Sequence, residues 1–333
     1  MISMLRILSV LVGLFLPAYA YGNGVTASFP AGGVEFKDST NISILREDLF
    51  LSPREVRVDY VFHSIAEDTS TETMAFPLPR VKADIESSTT MASVRDPDGA
   101  SGDMRNYLDF GVAVNGRPII PVLHEFAWLG DKNVSEEVLA AGFALLPRYD
   151  EWVRVTEKLD PDTIDALTAS GLLYDWESYV EPAWDYQAIY EWEQEFDPGE
   201  TSVSIRYRPL MAWRPDFGDL YEVGELAESA CVDDAMRRKL VETTESYGAY
   251  DASQLDYITT SARHWAGPIG QFNLTVSGGP SPPDWEGVDR KVLAAVCPAD
   301  APMDAQGNRY WSVENYLPEE DIRVFFYYFY RNE

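Results

Sequence analysis

The stretch from Tyr190 to Tyr207 constrains the fold more than any other. Tyr190, Trp192 and Phe196 share one parity, Val203, Ile205 and Tyr207 alternate again, and Asp197-Pro198-Gly199-Glu200 separates the two runs. A period of two puts each apolar set on one face of a half-buried strand, and the Pro-Gly punctuation between them predicts a β-hairpin. The same pattern recurs in Val56, Val58, Tyr60 and Phe62. A polar loop over 64–71 follows, then a partner strand over 73–76 that Pro77-Leu78-Pro79 ends. Residues 109–114 form a further strand, turned at Asn115-Gly116 into 117–123. Both turn residues tolerate positive φ, the mark of a two-residue hairpin. Residues 270–276 and 322–330 are β-rich as well, and the second run is apolar on both faces, as in a strand covered from both sides.

Helices interrupt the strands. Ser135 is placed to cap a helix over roughly 136–146. Asp160-Pro161 supplies a cap and a first-turn proline for a short helix ending near Gly171. A third spans about 233–247, with Met236, Leu240 and Val241 at helical spacing. Residues 278–283 read as a loop. The expected class is mainly β, a β-sandwich core with helical insertions near 135–171 and 233–247 and no internal repeat. Residues 21–128 and 185–333 would form the core, as two packed β subdomains with the second from about 210. Residues 129–184 would form a helical and aromatic insertion.

Arg6, the apolar run 7–16 and Pro17-Ala18-Tyr19-Ala20 have the order of a secretory signal peptide cleaved after Ala20. The run is shorter than the ~20 residues a membrane span needs. No Cys follows the cut to take a lipid. The expected destination is the periplasm or the medium. With 46% hydrophobic and 13% aromatic residues, the chain buries a true core. A formal net charge of -29 repels phosphate backbones, which argues against nucleic acid as a partner and disfavours anionic lipid headgroups. Solubility accounts for that charge, and basic partners or divalent cations remain compatible with it.

Cys231 and Cys297 are the two cysteines. In an oxidising compartment they are expected to form one disulfide. Closing a loop of roughly 67 residues is worth ~4 kcal/mol in the chain-entropy model. A reactive thiol or a metal-ligand pair is the alternative, but three scattered histidines supply no zinc spacing.

The densest candidate site is the stretch 174–196, where Tyr174, Trp176, Tyr179, Trp184, Tyr186, Tyr190 and Trp192 interleave with seven acids. Aromatic faces beside carboxylates suit sugar recognition, because rings stack on sugar C–H faces while acids accept hydroxyl protons. Strict alternation assigns Tyr190 and Trp192 to the core instead, with Glu191, Glu193 and Glu195 facing water. Tyr174, Trp176, Tyr179, Trp184 and Tyr186 do not alternate and make the better groove. A second candidate is Arg263-His264-Trp265 beside Gly267-Pro268 and Gly270: the Trp as a pocket wall with His264 as proton donor or acceptor, or else a ring wedged under a turn. Asp96-Pro97-Asp98-Gly99 with Asp103 hints at a hard-cation loop, but the twelfth EF-hand position is Tyr107 rather than Glu, and a solvated turn explains it as well. His63 and His124 sit in or beside strands without a partner motif. Nucleophile motifs, a Walker loop and Gly-x-Gly-x-x-Gly are all absent, so no catalytic residue, metal or cofactor is assigned.

Several strings resemble an exported bacterial family known as domain of unknown function 4424. They are Asp48-Leu49-Phe50-Leu51-Ser52-Pro53, then Val56–Phe62, then Phe76-Pro77-Leu78-Pro79, then Phe196-Asp197-Pro198-Gly199-Glu200 with Tyr207-Arg208-Pro209. Cys231-Val232-Asp233-Asp234 and Trp265-Ala266-Gly267-Pro268-Ile269-Gly270 complete the set. The resemblance spans almost the whole mature chain and implies no activity. A weaker one, carried by Phe76-Pro77-Leu78-Pro79, by Val114-Asn115-Gly116-Arg117-Pro118-Ile119 and by the Pro-Gly-Glu turn, is to the vault/inter-α-trypsin type β-sandwich. It implies an interaction role. That domain's usual metal-binding companion, with its Asp-x-Ser-x-Ser motif, is missing.

Together these readings predict an exported, non-enzymatic β-sandwich protein that binds an envelope protein or a glycan. A carbohydrate-active hydrolase using paired carboxylates in the aromatic groove is one alternative. A self-assembling structural envelope component is the other. Neither the oligomeric state nor the ligand is legible in the sequence.

Overall fold

A computed structural model describes residues 25–28, 35–78, 80–82, 108–146, 149–176, 179–209, 211–213, 231–248, 250–278, 290–297 and 301–330. The segment read as a signal peptide, residues 96–107 and residues 279–283 fall outside them. The chain begins with β1 (Val25–Ser28), β2 (Glu35–Lys37), β3 (Ile42–Leu51) and β4 (Val56–Ser64). Next come β5 (Ser70–Pro77), β6 (Val81–Lys82), β7 (Gly111–Val114), β8 (Arg117–Ile119), β9 (Val122–Leu129) and β10 (Lys132–Asn133). Helices α1 (Ser135–Ala140), α2 (Tyr149–Thr156) and α3 (Pro161–Ala169) lead to a ribbon of β11 (Leu173–Asp175) and β12 (Val180–Pro182). Then follow β13 (Asp185–Phe196), β14 (Gly199–Tyr207), β15 (Ala212–Trp213), α4 (Asp234–Tyr247) and β16 (Tyr250–Tyr257). β17 (Ile269–Val276), β18 (Arg290–Cys297), β19 (Arg309–Tyr316) and β20 (Ile322–Tyr330) complete the set.

Three sheets carry the fold. The first is seven-stranded, in the order β10-β9-β13-β5-β1-β2 with β6 also on β13. The second, also seven-stranded, runs β19-β17-β3-β4-β14-β7-β8. The third runs β15-β16-β20-β18. Inward residues of the first two sheets meet face to face. Phe110 stacks on Tyr190 with centroids 3.9 Å apart, Phe76 meets Tyr207 at 5.7 Å, and Phe62 meets Phe196 at 5.6 Å. This is the expected mainly β class, a sandwich with helical insertions.

The strand partners differ from the sequence reading. β13 lies between β9 and β5, whereas β14 lies between β4 and β7, so Asp197-Pro198 carries the chain from one sheet to the other rather than around a hairpin. The same is true of β4 and β5. Alternation specifies which face is covered and leaves the neighbouring strand open. Asn115-Gly116 is a true hairpin turn: Val114 pairs with Arg117, and φ is 48° at Asn115 and 75° at Gly116. The strand expected over 117–123 breaks at Pro121, β8 closing the second sheet while β9 joins the first.

β3 was not expected as a strand, because its inward residues change parity. Ile42 and Ile44 face the core, then Glu47, Leu49 and Leu51 do, with a bulge between Ile44 and Arg46 that leaves Leu45 partly exposed. Gly270 on the neighbouring β17 makes room for that bulge: a Cβ there would lie 2.7 Å from the Leu45 carbonyl oxygen. The string from Trp265 to Gly270 thereby acquires a structural reason. Trp265 packs 4.8 Å from Phe62, the Ala266 N–H donates to the Ile42 carbonyl at 2.9 Å, and Gly267 adopts φ 81°.

The bulge also turns Glu47 into the interior. The Tyr257 hydroxyl donates to Glu47 Oε1 at 3.5 Å and lies 3.1 Å from the Tyr60 hydroxyl, which ties the second sheet to the third. Burial holds the Tyr257 phenol well above its ordinary pKa, and Tyr60 and Glu47 add to the effect. β20 is covered on both faces, as its sequence implied. Ile322, Val324 and Phe326 belong to the main core, while Phe325, Tyr327 and Phe329 face Met236 and Leu240 of α4. The Asp233 carboxylate caps α4 by accepting from the Met236 N–H at 2.6 Å. Val241 is on the exposed side, and Thr243 completes the buried stripe in its place. A Cys231–Cys297 disulfide, with Cα atoms 5.3 Å apart, joins the start of α4 to the end of β18.

Residues of α1, α2 and the ribbon share a separate small core with Ala127, Phe143, Leu172 and Trp184. α1 is shorter than expected, and Val134 rather than Ser135 is its cap. The Ser135 hydroxyl instead accepts from the Ala127 N–H at 2.9 Å and donates to Asn133. α2 was not anticipated. Asp160 caps α3 as expected, accepting from the Thr163 N–H at 2.9 Å.

Candidate functional site

The ribbon β11–β12 presents aromatic rings to solvent because its neighbours anchor it. Leu172 and Leu173 are buried below it, and the Ala183 N–H donates to the Leu172 carbonyl at 3.0 Å. Trp184 then drops into the small core, edge-on to Phe143 at 5.5 Å, and its indole N–H donates to the Leu145 carbonyl at 2.8 Å. With that anchor closed, Tyr174, Trp176 and Tyr179 stay 43–48% exposed. The Tyr174 and Trp176 rings are 6.1 Å apart and tilted by 45°.

Trp176 is fixed by a buried acid. Its indole N–H donates to Glu181 Oε1 at 2.8 Å, and Glu181, the cross-strand partner of Tyr174, is 1% exposed. The Trp176 N–H to Tyr179 carbonyl bond at 3.0 Å closes the hairpin behind the rings. The exposed surface is thus an apolar ring pair on a rigid ribbon, its one indole donor already satisfied.

The structure narrows the sequence candidates. Trp184 and Tyr186 are fully buried, so neither can line a groove; Tyr186 faces the sandwich interior and its hydroxyl donates to Glu125 Oε1 at 3.0 Å. Tyr190 and Trp192 face the core, as alternation required. Arg263, His264 and Trp265 lie apart from the ribbon, in the turn between β16 and β17. Trp265 is 4% exposed, so it forms no pocket wall. The Arg263 guanidinium donates to the Pro318 carbonyl, and His264 Nδ1 lies 2.7 Å from Asp38 Oδ1. These contacts fasten loops. His124 has a partner the sequence did not show, the Glu191 carboxylate across β9 and β13. Sequence reasoning missed Glu181, whose only signal was an acid at a ribbon position facing a Tyr, and it missed Glu47, hidden by the bulge.

Among the described residues no three His, Cys, Asp or Glu side chains converge to hold a metal, and no helix is long and apolar enough to cross a membrane. Fold and ribbon together define a disulfide-bridged, mainly β protein that displays an aromatic hairpin. A family model described as Domain of unknown function (DUF4424) matches residues 22–325, and the chain belongs to that family. No curated protein matches it. The crystal structure of a "putative nutrient binding protein" from Legionella pneumophila is similar with a TM-score of 0.40 and 13% identity, over 92% of this chain and 70% of that one. A likeness at that level carries no argument about fold or function. The vault/inter-α-trypsin likeness rests on its motifs alone.

Proposed function

We propose that this chain is an exported, non-enzymatic binding protein that captures an envelope protein through the Tyr174–Trp176–Tyr179 hairpin. The observation that carries the proposal is an exposed Trp and Tyr pair locked on a two-stranded ribbon by the buried Glu181. Rigid exposed aromatics lose little entropy on contact and serve as interface anchors. The two rings are tilted by 45°, so no single flat face spans both. The Cys231–Cys297 bridge supports an oxidising compartment, in line with the signal-peptide reading.

Tyr174→Ala and Tyr179→Ala test the reading cleanly, because neither removes the Trp176–Glu181 bond. Crosslinking in intact cells, followed by mass spectrometry, should find one stoichiometric partner with the wild type and a loss of at least about tenfold with either variant. Capture that is unchanged in both variants refutes the site. Retention on glycan that the same substitutions abolish would replace the protein partner with a sugar.

A further inference from the structure

The outward face of the second sheet holds an arrangement independent of the hairpin. Arg57 on β4 and Arg206 on β14 stand directly opposite in the antiparallel register, and both are exposed. Like charges at such a pair repel. Arg57 is steadied on one side: its guanidinium lies 5.2 Å over the Phe50 ring, and its Nε is 3.5 Å from Asp59 Oδ2. Arg206 makes no ion pair among the described residues. Its side chain crosses Gly111, its register partner on β7, where a Cβ would lie 3.6 Å from Nε.

Around this pair lies a trough of about 320 Å³ lined by Arg57, Arg206, Ser204, Gly111, Ala113 and Pro118. A second hollow of about 250 Å³ shares Arg206 and adds Arg54 and Arg208, with Glu55 and Asp109. Four arginines thus line two hollows that share Arg206, in a chain whose net charge is -29.

We propose that this trough binds a small organic anion, with its carboxylate or phosphate head between Arg57 and Arg206 and its apolar body over Gly111, Ala113 and Pro118. Guanidinium forks match planar and tetrahedral oxyanions through paired N–H donors. An anion there converts a repulsive cross-strand pair into two charge-assisted contacts. Ser204, on the same strand as Arg206, adds a hydroxyl to the trough. The chain's overall field disfavours anions at long range, so recognition falls to these short-range groups.

Calorimetric titration of the purified protein with phenyl phosphate, benzoate, inorganic phosphate and phenol separates the parts. Phenyl phosphate or benzoate should saturate a single site, inorganic phosphate should bind more weakly, and phenol should give no saturable heat. Arg206→Met should weaken the aromatic anion by about tenfold or more, while the melting temperature without ligand stays at or above the wild-type value. Arg57→Gln carries the same test where Arg206→Met fails to fold. The proposal is overturned by no saturable binding of either aromatic anion. Binding unchanged in both variants, or phenol binding as tightly as phenyl phosphate, overturns it equally.

Discussion

Gly270→Ala is the sharpest test of why the strand pair β3–β17 looks as it does. The φ of Gly270 lies outside the left-handed region, so the added methyl meets a steric problem alone. It would sit 2.7 Å from the Leu45 carbonyl oxygen, with the Leu45 carbonyl carbon and Cα at 3.4 and 3.5 Å. All three are backbone atoms of the bulge, and no flexible side chain can yield. Relief therefore requires a movement of roughly 0.5 Å between two parallel strands, at the point where Gln271 pairs with Arg46. Over-packing of this kind costs about 2–3 kcal/mol, offset by about 0.5–1 kcal/mol from the stiffer unfolded chain. A net loss near 2 kcal/mol lowers the melting temperature of a chain this long by roughly 3 °C. Urea unfolding of Gly270→Ala and wild type measures the difference directly. Deleting Leu45 removes the extra residue while keeping Ile44 and Glu47 inward, so in that background the same substitution should cost far less, a coupling that a double-mutant cycle reads. A Gly270→Ala protein as stable as the wild type would falsify the argument.

The remaining predictions use the same readout. Trp184→Ala should lose about 3–5 kcal/mol through the cavity and the orphaned Leu145 carbonyl, whereas Tyr174→Ala should stay within about 1 kcal/mol of wild type. Replacing Cys231 and Cys297 together by Ser should cost ~4 kcal/mol or less, and reductant should lower the wild-type melting temperature while leaving the double variant unchanged. Burial, only partly offset by donation from the Thr260 N–H and hydroxyl, holds the Asp321 carboxyl above its ordinary pKa. The neutral form is the one the fold favours. Its contribution is fully present below the unfolded value and is lost as pH rises through the raised one. Asp321→Asn should flatten that segment of the stability–pH curve and match or exceed wild type at neutral pH; a steeper loss refutes it.

What the sequence shows and what it hides divide along physical lines. Inward faces were legible wherever parity holds, as in β4, β13 and β14, because apolar alternation is a local consequence of one covered face. Sheet neighbours were not, since the Asp197-Pro198 crossing and a hairpin demand the same turn residues. β3 escaped notice because Leu45 shifts the parity midway. The aromatic cluster was visible as composition, yet its division into buried Trp184 and Tyr186 and exposed Tyr174, Trp176 and Tyr179 depends on where β13 begins. The Arg57–Arg206 pair joins residues far apart in the chain, and only the register of β4 against β14 brings them together.

β20 has a consequence for how this polypeptide is made. It is one of the two inner strands of the third sheet, and it comes after every other described strand in chain order. One of its faces completes the sandwich core and the other completes the core under α4. Neither of these two cores can close on the ribosome until residues 322–330 have been synthesised. Both interiors stay open until β20 slides between β16 and β18.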